Sequence, residues 1–138
     1  MELNFRFHDF CYAIFEGTRY DLHNCYVAEY IGMKPDGAVF ELRFRRNPHY
    51  AHLSHCSAET ISVRCSGNVA VRFNDLVDVP GDIRSASFDV GYFDEHCDWD
   101  ALLDDRLAEK QGFVGLHFDF SAGPTLRVIA DKAEMSIC

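Results

Sequence analysis

The chain has 138 residues, 48% hydrophobic and 14% aromatic, with a formal charge of −9. Such a length and apolar content suffice for one domain, 1–138, with its own core, and exclude a disordered chain. The charge argues against nucleic acid, whose phosphates require concentrated Lys and Arg.

A membrane protein is not expected either. No apolar run approaches the roughly 20 residues of a bilayer-spanning helix. The opening "MELNFRFHDF" lacks the basic and then apolar layout of a signal peptide. A cytoplasmic protein is therefore predicted, and with it free thiols: the six cysteines include no C-x-x-C pair.

Period-two alternation dominates the pattern and predicts strands. In "LNFRF", Leu3, Phe5 and Phe7 share one face. Residues 15–24 read as a turn. Residues 23–45 read as a hairpin through "KPDG", where Pro fixes φ and Asp-Gly tolerates positive φ. Its second strand sends Phe40, Leu42 and Phe44 inward and Glu41, Arg43 and Arg45 to water.

A second hairpin is predicted around Ser66-Gly67-Asn68, joining "ETISVRC" to "NVAVRF". "SASFDVGYF" follows as a strand with Ala86, Phe88, Val90 and Tyr92 on one face. A third hairpin turns at "SAGP", with Leu116, Phe118 and Phe120 facing Leu126, Val128 and Ala130, and "AEMSIC" closes the sheet.

One main helix is expected near 98–110. There Trp99, Leu102, Leu103 and Leu107 recur at three- and four-residue spacing between an Asp98 cap and Gly112. The fold class is α+β, mostly antiparallel β: about eight strands in a curved sheet or half-open barrel with that helix against it.

The segment "NPHYAHLSHC" carries His49, His52, His55 and Cys56. Its three-residue spacing sends His52 away from His49 and His55 on a strand. On an α-helix it spreads successive side chains by about 60°. A metal site there requires an irregular loop and a further ligand such as Cys65, Cys25 or His23. No hydrolase, P-loop or dinucleotide signature is present, and no cofactor is expected.

Residues 94–110 hold seven carboxylates against Arg106 and Lys110, a local surplus of five negative charges. Asp98 and Asp100 suit a helix start. Asp104 and Asp105 repel one another within the helix, a cost tolerated for solubility or to meet a cationic partner. In size, charge and the acidic helix beside a strand-rich body, the chain resembles the immunity proteins of bacterial toxin systems, including those of contact-dependent growth inhibition. The resemblance implies a non-enzymatic inhibitor that masks the active site of a basic toxin domain. Its contact surface would be Asp94, Glu95, Asp98, Asp100, Asp104 and Asp105. Two other functions fit the residues: a small-molecule-binding barrel, and a metal-dependent enzyme built on the histidine loop.

Overall fold

The structure, a computed structural model, describes residues 1–9, 11–74, 82–83, 88–94, 115–121 and 125–138. For 73–74, 82–83, 88–94 and 121 it describes the backbone alone. The predicted helix near 98–110 lies outside these residues. Among them the architecture is mostly β, with antiparallel pairing throughout except for one short parallel pair at the N-terminus.

The start of the chain divides between two sheets. Strand β1 (Glu2–Leu3) lies parallel to the last strand, while β2 (Phe5–His8), β3 (Tyr12–Phe15) and β4 (Thr18–Asp21) form a separate three-stranded sheet. The predicted continuous strand breaks at Asn4, whose side chain bonds the backbone of Met135 in both directions. Residues 15–24 are more than a turn. Glu16 and Gly17, both at positive φ, make the two-residue connection between β3 and β4, and α1 (Leu22–Cys25) follows.

The hairpin through "KPDG" forms as predicted, pairing β5 (Tyr26–Met33) with β6 (Val39–Arg46). Gly37, at φ +70°, donates its N–H to Lys34 O and supplies the tight turn. A bulge at Glu29 gives β5 one residue more than its partner between Ala28 and Tyr30. The inward set therefore changes parity. Tyr26 and Ala28 face the core before the bulge, Ile31 faces it afterwards, and Tyr30 turns to the outer face.

The second predicted hairpin does not form. Strand β7 (Thr60–Ser66) pairs with β6 and with β13 (Lys132–Ile137), whereas β8 (Ala70–Asn74) pairs with β12 (Thr125–Ile129). Residues 60–74 and 125–137 thus run side by side as one bent ribbon, with its corner at Gly67-Asn68 and Asp131. Alternation marks which face of a strand is buried, not which strand it meets.

The large sheet follows the order β1-β13-β7-β6-β5-β10-β11-β12-β8, where β10 spans Phe88–Asp94 and β11 spans Leu116–Ser121, and β9 (Asp82–Ile83) adds to β5. Among the described residues, ten strands in this sheet and three in the other replace the expected eight in one, and the path does not close into a barrel. Its two ends are instead joined by the bent ribbon, the way a sheet turns a corner in orthogonal packing.

The small sheet packs on the large one through Phe118, whose ring meets Phe7 edge-on at 5.6 Å and lies 5.9 Å from Phe44 and 6.1 Å from Phe120. Leu116, Phe118, Phe120, Leu126, Val128 and Ala130, all predicted to face inward, are buried in this cluster.

Candidate functional site

The β5–β6 hairpin sets the site. Tyr26 is the register partner of Arg46, so the residues beyond, Cys25 and Asn47, meet at the hairpin's open end, where Asn47 N donates to Cys25 O at 2.8 Å. Cys25 is the last residue of α1. That single helical turn is held by Asp21, which is 4% exposed and accepts from Asn24 N and Asn24 Nδ2 at 3.0 and 2.9 Å.

After Asn47 the chain makes two consecutive 3-10 turns, Pro48–Tyr50 and Ser54–Cys56. Asn47 caps the first by accepting from His49 N, and Pro48 stands where no donor is required. The return of the loop is fixed from below. Arg46 Nη1 donates to Cys56 O and Ser57 O, each at 3.1 Å, and Tyr26 Oη donates to Ala58 O at 2.9 Å.

This path carries Cys56 back onto Cys25. Their Cα atoms are 5.9 Å apart and the two sulfurs form a disulfide, contrary to the free thiols expected for these residues. Both side chains are fully buried. The half-buried His55 ring completes the group: one ligand atom from each of Cys25, His55 and Cys56 lies within 4.8 Å of the other two.

The histidine segment is therefore split. His55 and Cys56 belong to the cluster, and Cys25, one of the further ligands the spacing required, joins them. His49 and His52 are exposed on the loop and take no part. Cys65 sits in the core, where burial pushes its thiol up to about 12. His23 is also outside the cluster. The missing signal was register: a hairpin read through residues 23–45 already places Cys25 beside the start of the histidine segment.

The three arginines of β6 are engaged within the protein, Arg46 with the loop carbonyls and the other two with carboxylates. Arg43 Nη2 lies 3.2 Å from Glu41 Oε1, Arg43 Nη1 lies 3.9 Å from Glu29, and Arg45 Nε lies 3.2 Å from Glu29. Glu41, predicted to face water, is 2% exposed beneath Lys34 at 2.6 Å, Arg43 and Arg64. Burial raises its carboxyl pKa, but the hydrogen bonds and charges of Lys34 and Arg43 outweigh that and hold it below its ordinary value.

Of the acidic residues, Asp94 ends β10, opposite His117 of β11. Glu95, Asp98, Asp100, Asp104 and Asp105 lie outside the described residues. Among the described residues no helix is long and apolar enough to cross a membrane. A depression of about 380 Å³ lined by Leu3, Asn4, Phe5, Arg6, Ile14, Glu16 and Gly17 opens to the surface where the two sheets part.

No protein-family model, curated protein or solved structure matches this chain. Its class is defined by its own geometry: a mostly antiparallel β protein with a bent ribbon at its corner and a cysteine–histidine cluster at the open end of its central hairpin.

Proposed function

We propose that this is a protein-binding module of the immunity type, which neutralises a basic toxin domain by covering its active site with the carboxylates of 94–110. The observation that carries the reading is where the cations go. Lys34, Arg43, Arg45 and Arg64 pair with Glu29 and Glu41, and Lys132 pairs with Glu134. These cations are engaged by carboxylates of the sheet itself, which supports a reading in which the sequence surplus of five negative charges in residues 94–110 meets a cationic partner. Such a charge speeds encounter and imitates the phosphates a nuclease would bind.

The test is co-expression with the C-terminal domain of any large secreted protein encoded immediately upstream. The wild-type chain should protect cells and co-purify with that domain. The double reversal Asp104→Lys and Asp105→Lys should weaken the complex at least about tenfold. Absence of a complex, or undiminished protection by the double variant, would overturn the surface named here.

A further inference from the structure

We propose that Cys25, His55 and Cys56 form a redox-gated binding site for a thiophilic divalent cation, Zn²⁺, which is closed as a disulfide and opens when the disulfide is reduced. The inference is independent of toxin binding. It rests on the chemistry of the donor set, on the distances within it, and on what holds the loop in place.

Two thiolates and a neutral imidazole are the ligands that borderline-soft zinc selects, and three protein ligands with a water in the fourth position is its open-site form. Zn–S bonds of about 2.3 Å and a Zn–N bond of about 2.0 Å in a tetrahedron place the sulfurs about 3.8 Å apart and each about 3.5 Å from the nitrogen. The three donors already lie within 4.8 Å of one another. The Cα separation of 5.9 Å accommodates this spacing without moving the backbone. Two thiolates also cancel the charge of the ion, which suits sulfurs with no exposed surface.

The loop does not depend on the sulfur–sulfur bond for its position. Asn47 N to Cys25 O, Arg46 to the carbonyls of Cys56 and Ser57, and Tyr26 to Ala58 O pin both walls of the site by the main chain. Reduction therefore leaves two thiols facing each other beside His55. The imidazole of His55 is only half-buried, so the group is not sealed from solvent on that side.

The chemistry balances with a dithiol as reductant. Its thiolate attacks one sulfur, which breaks the cysteine bond, releases the other cysteine as a thiolate and forms a mixed disulfide. The second thiolate of the reductant then attacks its own sulfur in that bond. The reductant leaves as a cyclic disulfide, and the protein has gained two electrons and two protons. Zn²⁺ displaces those two protons on binding.

The experiment uses the untagged chain, oxidised or reduced anaerobically and freed of reductant, titrated with Zn²⁺ against a chromophoric chelator and with Co²⁺ as the spectroscopic probe. Reduced protein should bind about one metal per chain and show a thiolate-to-cobalt charge-transfer band, while oxidised protein should hold less than about 0.2. His55→Ala leaves both cysteines in place and should lower the affinity of the reduced form at least about tenfold. The paired variant His49→Ala with His52→Ala should bind as wild type. Equal uptake by oxidised and reduced protein would overturn the proposal, as would equal affinity of the two histidine variants. Loss of the strand signature in circular dichroism on reduction would overturn it too, since the site requires a loop held without its disulfide.

Discussion

Asn4 bonds the backbone of Met135 in both directions: its Oδ1 accepts from Met135 N at 2.7 Å and its Nδ2 donates to Met135 O at 3.1 Å. The side-chain amide acts as a strand neighbour would, at the point where the chain leaves β1 for the small sheet. Replacing Asn4 with Ala strands a partly buried donor and acceptor together. The expected loss is about 1–3 kcal/mol, read as a lower urea midpoint at unchanged slope.

The corner of the ribbon makes a second prediction. Gly67 has φ +68°, and its carbonyl accepts from Asp131 N at 2.8 Å, while Asn68 Nδ2 donates to Asp131 Oδ2 at 2.7 Å. A Cβ on Gly67 would stand 2.9 Å from Asp131 Cβ. Gly67→Ala combines an unfavourable backbone region with that collision and should destabilise by more than about 1 kcal/mol. Thermal unfolding of the variant checks it.

Glu41 predicts an acid limb. A carboxyl held below its ordinary value when folded contributes stability that is full above that ordinary value and lost as pH falls through the depressed one. Glu41→Gln should remove this part of the pH dependence and cost about 1–3 kcal/mol at neutral pH, because three cations lose their common partner. Lys34→Met should cost less, since Arg43 and Arg64 remain. Denaturation midpoints measured across the acid range separate the two.

Tyr26 and Cys65 predict the opposite limb. Burial pushes both up to about 12, from ordinary values of 10.0 and 9.0. For groups kept neutral in the fold, the stability is full below the unfolded values and declines as pH rises toward the folded ones. Urea stability should therefore fall between about pH 9 and pH 12. Tyr26→Phe should soften that fall while costing about 1 kcal/mol at neutral pH for the lost bond to Ala58. A titration of phenol absorbance that places Tyr26 near 10 would contradict it.

The sequence alone determined a mostly antiparallel β protein, the "KPDG" hairpin and the "SAGP" pairing of β11 with β12, because a short turn and a period of two are local properties. Locality also set the limits. The same alternation that marked "ETISVRC" and "NVAVRF" as strands carried no information about partners, and only the tertiary structure decided that β7 turns to β13 and β8 to β12. The bulge at Glu29 turned Tyr30 outward against the inward parity of Tyr26 and Ala28, and the burial of Glu41 depends on cations from its own strand, from the neighbouring β7 and from a turn. The histidine segment shows the division most directly. Its spacing told that no regular strand or helix could gather His49, His52 and His55, but Cys25 reaches Cys56 across 31 residues only because hairpin register and the Arg46 and Tyr26 hydrogen bonds fold the loop back.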